Sequence, residues 1–290
     1  MKPALVLIGP GRVGCALAHL LYRAGYPLAA VIGRDQEEVE EAVRFIGCDT
    51  QLATTDLQAA AKGTILLLTL PDDQLAEFSA HLSDEVELYA GTTLVHCSGL
   101  HPATILFRQR DGIGLLSIHP LLPFADREMA VANLKDCPCA LEGDQDRQAL
   151  GLELITAFGG QAFLVPTEAK ALYHAAASIA SNFMVGLTAC ARDLLISCGL
   201  DSQQALQLIT PLHRATSSNI LALGPEKALT GPIVRGDVST VESHLEALRN
   251  DFPETAELYR CLARTTLQLA QNSGRLPAAR AAEMTRMLKP

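Results

Sequence analysis

The sequence has no tryptophan, and Phe and Tyr supply only 4% of its 290 residues. Its core must therefore be filled by aliphatic side chains, above all Ala and Leu, which suits closely packed helices and buried parallel strands. Basic residues are outnumbered, 23 Lys and Arg against 32 Asp and Glu, for a net charge of −9. That balance argues against a general affinity for nucleic acid or an anionic membrane, yet leaves room for a local basic site. Close cysteine pairs are scarce. Of eight cysteines only Cys137 and Cys139 are near neighbours, and a single intervening residue makes neither a CxxC redox motif nor half of a common zinc site, so no metal is expected. Met1-Lys2-Pro3 shows no cleavable signal, and a reducing cytoplasm is the expected address. Charge is missing from one long stretch. Residues 171–191 contain no Asp, Glu, Lys or Arg and are long enough to span a bilayer. Polar residues interrupt them, and Ala rather than Leu or Ile dominates, so the expectation is a buried central helix and no membrane span.

What is present in the first half is an alternation of short apolar runs and helical segments. Strands are expected at residues 4–9, 28–33, 51–53, 64–70, 92–97, 113–117, 139–142 and 161–165, with helices over 12–24 and 36–46. That succession is the pattern of an α/β fold with a doubly wound, mostly parallel sheet. It stops at Pro166, after which only helical patterns follow, with capping signals at Asp201/Gln204, Ser239/Glu242 and Asp251/Glu254. Two domains are expected: an α/β domain over residues 1–165 and an all-helical domain over 166–290.

Gly9-Pro10-Gly11-Arg12-Val13-Gly14 matches GxGxxG, follows a strand and opens a helix. In that context Gly9 allows the tight turn, Gly11 lets the backbone approach a pyrophosphate, and Gly14 permits close helix–strand packing. The helix N–H groups, from Arg12 and Val13 onward, face the phosphate. A Rossmann dinucleotide site follows. At the end of the second strand, where an acid would accept from a ribose 2′-hydroxyl, stands Gly33-Arg34-Asp35. Arg34 suits a 2′-phosphate and favours NADP, while Asp35 keeps NAD open.

The strings Gly9–Gly14, Arg34, Leu70-Pro71-Asp72, His96-Cys97-Ser98-Gly99 and His119-Pro120 resemble, in order, the β-hydroxyacid dehydrogenase and ketopantoate reductase superfamily. Lys170 to His174, Ser181-Asn182 and the segment from Leu229 to Asp237 carry a closer resemblance to oxidoreductases with a Rossmann-like domain and a C-terminal domain of unknown function. The superfamily resemblance implies that Leu70 and Pro71 pass beside the nicotinamide and that Ser98 lies near cofactor and substrate. It also implies a general acid/base at Lys170 and a substrate ligand at Asn182. His174, one turn after Lys170, is a competing proton donor. His119 resembles the substrate-contacting His of the His-Pro pair in prephenate dehydrogenases; His96 is a weaker candidate.

Helical spacing independently places Lys170, His174, Ser178, Ser181, Asn182, Thr188 and Arg192 within one arc of an otherwise apolar helix. Such a polar stripe needs backbone partners, water or a ligand. Arg235, in Arg235-Gly236-Asp237, reads either as a turn residue paired to Asp237 or as a clamp for a substrate anion, with His213, Arg214 and Asn219 on the preceding helix. The expected function is NADP-dependent hydride transfer to or from a small carbonyl/alcohol or imine/amine substrate. A non-catalytic NADP(H) sensor and a reductase that passes hydride to a flavin-like carrier are the alternatives. A homodimer through the helical domain is expected from its Ala-rich apolar faces.

Overall fold

The short apolar runs of the first half become one sheet in the computed structural model, which describes residues 1–289. Its strands are β1 (Leu5–Ile8), β2 (Leu28–Ile32), β3 (Ala53–Thr54), β4 (Ile65–Leu68), β5 (Thr93–His96), β6 (Gly114–Pro120), β7 (Pro138–Gly143) and β8 (Gln161–Leu164). They lie in the order β3-β2-β1-β4-β5-β6-β7-β8, parallel throughout except where β6 meets β7. All eight expected strands are present. The third is displaced toward its carboxyl end because Asp49 caps a 3-10 turn over Thr50–Leu52.

The side-chain alternation of β1 divides the core. Leu5 and Leu7 face a cluster with Leu17, Val31, Val43, Leu116 and Leu141, while Val6 and Ile8 face one with Leu66, Leu68, Leu82, Leu94 and Leu115. Helices cover both faces: α1 (Arg12–Arg23), α2 (Gln36–Ile46), α3 (Leu75–Glu85), α4 (Arg127–Asn133) and α5 (Gln148–Ala157). β1 pairs with both β2 and β4, so the strand order reverses beside it, and a crevice opens there at the carboxyl ends.

Beyond Pro166 the chain is helical: α6 (Lys170–Ala180), α7 (Asn182–Ser197), α8 (Ser202–Leu223), α9 (Pro225–Ala228), α10 (Pro232–Arg235), α11 (Val238–Leu248), α12 (Pro253–Asn272) and α13 (Ala278–Met287). Among the described residues no strand follows β8. The chain forms two compact units, the first Met1–Asn182 and the second beginning at Phe183. The sheet ends at Leu164, as the pattern change at Pro166 suggests, but the first unit extends through α6 because Lys170 and Tyr173 bond to β5–β6 residues. The second unit has its own core, with Ile233, Val241, Leu245, Ala263, Leu267, Ala270 and Met284.

Three expectations need correction. The apolar stretch from α6 into α7 is not buried: Lys170 is the buried residue of α6, and α7 has none. Thr167–Ser197 is long and apolar enough to cross a membrane by length and composition, with none of its most apolar window buried. The polar stripe is also not continuous, since α6 ends at Ala180 and Ser181 takes a distorted helical conformation (φ −120°, ψ −69°). Thr188 instead donates to the Met184 carbonyl (2.7 Å), and Arg192 pairs with Asp193. Finally, the Asp201/Gln204 capping box forms, but Asp237 rather than Ser239 caps α11, and α12 starts at Pro253 with no side-chain cap. Proline at the first helical position needs no cap for its own missing N–H.

Candidate active site

The glycine loop is shaped by what each position excludes. Gly9 has φ +82°, and a Cβ there would lie 2.7 Å from the Leu70 Cδ2. Gly14 is buried against Thr69, and a Cβ would fall 2.9 Å from the Leu7 side chain and 3.0 Å from the Gly9 carbonyl. Thr69, just beyond β4, donates its hydroxyl to the Gly9 carbonyl (2.6 Å), tying the two strand ends together. Around Gly11, by contrast, nothing would meet a Cβ within 4 Å. No side chain caps α1, so its first-turn N–H groups are open to an anion above Gly11. Arg12 is exposed and reaches the Phe124 carbonyl (3.3 Å), Val13 packs against the core, and Pro10 packs on Gly33.

At the end of β2 the two candidate cofactor readers have different fates. Asp35 turns its carboxylate to the Glu38 N–H (3.0 Å) and caps α2. Arg34 is exposed and makes no ion pair or side-chain hydrogen bond among the described residues. These residues fit a dinucleotide: an open cradle for the pyrophosphate, and a free guanidinium where the adenosine ribose would lie.

Across the crevice a second cluster gathers. The β5–β6 register pairs His96 with Ser117, which sets Ser98 level with His119 at the carboxyl edge. The Ser98 hydroxyl is turned inward and accepts from the Leu100 and His101 N–H groups (3.1 and 2.9 Å). It holds the turn, and the Ser98 carbonyl accepts from Lys170 Nζ at 2.9 Å. Lys170 also donates to the Ser117 hydroxyl and is only 2% exposed. Burial pushes its ammonium down to about 8, partly countered by the Glu142 and Asp72 carboxylates. Lys170 is thus enclosed beneath the Ser98-Gly99 turn rather than lining an open surface.

Above that turn lie His119, Tyr173 and His174. A Cβ on Gly99 would fall 2.7 Å from the His174 ring and 2.9 Å from His119 Nε2, so only glycine admits both rings. His119 Nδ1 lies 2.8 Å from the Tyr173 hydroxyl. Burial, together with the Lys170 and His174 charges, lowers His119 to about 4. His174 is half-buried and makes no side-chain hydrogen bond among the described residues. His96 is structural: buried, it accepts from the Ser98 N–H and bonds the Pro102 carbonyl, and burial brings it down to about 3.

Leu70 packs against Gly9, and Pro71 is exposed at the crevice rim. Asn182 is exposed at the last position of the first unit. Arg235 belongs to the second unit, is 65% exposed, and stands 4.0 Å from Asp237. Sequence reasoning assigned no role to Thr69, Gly99, Ser117, Tyr173 or Glu142. Glu142 is 6% exposed, pairs with Ser117 across the antiparallel β6–β7 ladder, and accepts from the Ala103 N–H (2.6 Å) and the Thr167 hydroxyl (2.9 Å). Gly99 and Ser117 adjoin residues that the motifs singled out, but Glu142 becomes visible only with the strand pairing.

An open α/β sheet with a glycine-lined crevice at its strand-order reversal, followed by a separate helical unit, defines a Rossmann-like protein with an appended helical domain. Residues 2–120 match the Rossmann-like domain, and residues 137–266 match a domain of unknown function, DUF2520; the chain carries both. No curated protein matches it. Among solved structures it is similar to a "putative NADP oxidoreductase" from Bacteroides fragilis (26% identity, 91% of this chain and 98% of that one, TM-score 0.73). It is also similar to a Thermotoga maritima protein (26% identity, 92% and 98%, TM-score 0.69). A pyrroline-5-carboxylate reductase from Coxiella burnetii, 14% identical over 94% of this chain and 99% of that one, shares the fold (TM-score 0.57).

Proposed function

We propose that this protein is an oxidoreductase that uses a nicotinamide dinucleotide, NADP in preference to NAD, to interconvert a small carbonyl/alcohol or imine/amine pair. The observation that carries the reading is the placement of two unlike clusters on one carboxyl edge. An open glycine cradle ends β1, and a Lys-His-Tyr-His group lies over the ends of β5 and β6. The B. fragilis neighbour described as an NADP oxidoreductase supports the same reading. The nicotinamide, when bound, supplies the hydride chemistry. Gly9, Gly11, Gly14 and the first turn of α1 hold the pyrophosphate, Arg34 the 2′-phosphate, and Leu70-Pro71 border the nicotinamide side.

Lys170, with two of its donors engaged by Ser98 and Ser117, keeps the Ser98-Gly99 turn in place and supplies positive charge beneath it. His174, half-buried and without a side-chain hydrogen bond among the described residues, is the residue assigned to proton transfer, and Asn182 a polar contact to substrate. The protein works as a cytoplasmic homodimer. The exposed Phe183, Val185, Leu208 and Leu212 of the second unit support that assembly, and the charged Arg192 and Asp193 on α7 favour a second copy over lipid.

Titration with NADPH and NADH, followed by nucleotide fluorescence, tests the cofactor assignment. Arg34→Ala weakens NADPH about tenfold or more, roughly 1.4 kcal/mol, and leaves NADH nearly unchanged. Equal losses for the two nucleotides sink the 2′-phosphate role. A screen of carbonyl and imine compounds for NADPH oxidation tests turnover.

A further inference from the structure

Tyr173 is not part of the glycine cradle, yet the structure holds it tightly. Its ring packs edge-on against Phe163 (centroids 5.9 Å apart, 66° between planes) and meets His119 nearly perpendicularly (5.6 Å, 85°). Its hydroxyl lies 2.8 Å from His119 Nδ1. The other ring nitrogen of His119, Nε2, makes no hydrogen bond among the described residues; it packs close against Gly99, and the residue as a whole is only partly buried. One nitrogen is thus committed to a phenol and the other is left without a hydrogen-bond partner.

We propose that Tyr173 is a positioning residue: its O–H donates to His119 Nδ1 and fixes His119 as the neutral Nε2–H tautomer. His119 is then a hydrogen-bond donor to the oxygen or nitrogen of the reacting carbonyl or imine. This inference rests on the oxidoreductase reading given above. Its direction follows from donor and acceptor strengths. A phenol O–H is a good donor and a poor acceptor, because its lone pair is shared with the ring, whereas the unprotonated imidazole nitrogen is a strong acceptor. The reverse arrangement would pair the weaker donor with the weaker acceptor. The electrostatics agree. Burial raises the Tyr173 hydroxyl to about 12, so it keeps its proton, while burial first and then Lys170 and His174 disfavour a positive charge on His119. The buried His96, just below, is also neutral. His119 would therefore polarise the substrate without changing protonation state, leaving proton transfer to a separate group.

Nitrogen NMR of the protein labelled with 15N-histidine tests this without a known substrate. His119→Gln identifies the His119 resonances. In the wild-type protein at neutral pH, Nδ1 should resonate as an unprotonated acceptor and Nε2 as a protonated nitrogen. In Tyr173→Phe, which keeps the ring packed on Phe163, the two shifts should converge as the tautomers exchange. A wild-type His119 protonated at Nδ1 overturns both the Tyr173 role and the donor role of His119, whereas a Tyr173→Phe variant with unaltered His119 shifts overturns the role of Tyr173; neither result touches the oxidoreductase reading. Failure of the wild-type protein to bind NADPH overturns the reading of the site and the donor role with it.

Discussion

Strand β4 and helix α7 are both apolar, yet they end in opposite surroundings. Every residue of β4 is at most 4% exposed, whereas α7 has no buried residue and shows Phe183 at 60% and Val185 at 71%. The strand sits in mid-sheet, where neighbours saturate its backbone and the two side-chain clusters cover both of its faces. The helix satisfies its own backbone, so nothing in the same unit is obliged to cover its sides. Apolar composition thus indicates that a segment will be covered, but not by what.

The largest effect should come from cutting into the covered side of that comparison. Leu66→Ala, at a fully buried position of β4, should lower unfolding free energy by about 2–5 kcal/mol in urea titration. Leu212→Asp, at a position 66% exposed on α8, should leave the fold intact but shift the mass from dimer to monomer in light scattering. It should also remove the rise of Tm with protein concentration. A wild-type protein that is monomeric, with a concentration-independent Tm, breaks the second-copy reading.

The next effect concerns the buried cation. Lys170 titrates at about 8 in the folded protein against 10.5 for a free lysine. Between those values the unfolded chain binds more protons, so stability rises with pH. The Lys170 contribution is fully present above about 10.5 and lost as pH falls through about 8, a change of about 3 kcal/mol. The stability gap between wild type and Lys170→Met should show that slope in urea titrations from pH 7.5 to 10.5 (~3 units). A flat gap would mean that Lys170 is not enclosed. The smallest effect lies at the start of α8, where Asp201→Ala removes a capping box and should cost about 1 kcal/mol by thermal melting.

Much of the first unit was legible because strand, turn and helix signals there are local. Gly9, Gly11 and Gly14 each answer a constraint imposed within a few residues, and Asp35 caps the helix that begins one residue later. The second cluster was legible only in pieces. Lys170, His119 and His174 stood out by residue type, but their arrangement joins positions more than 50 apart in the chain, such as His119 with Tyr173 and Lys170 with Ser98. Glu142 gave no signal, because a single acid in an apolar run is unremarkable until β7 pairs antiparallel to β6.

By itself the sequence determined the strand succession, the dinucleotide cradle and the change to helices after Pro166, since each is written in short-range periodicity and glycine placement. The tertiary structure decided which side chains work together. It buried Lys170, turned the Ser98 hydroxyl inward, spent Asp35 on a helix cap and left Arg34 free. These are outcomes of register and packing, which depend on strand order and helix docking rather than on any residue's immediate neighbours.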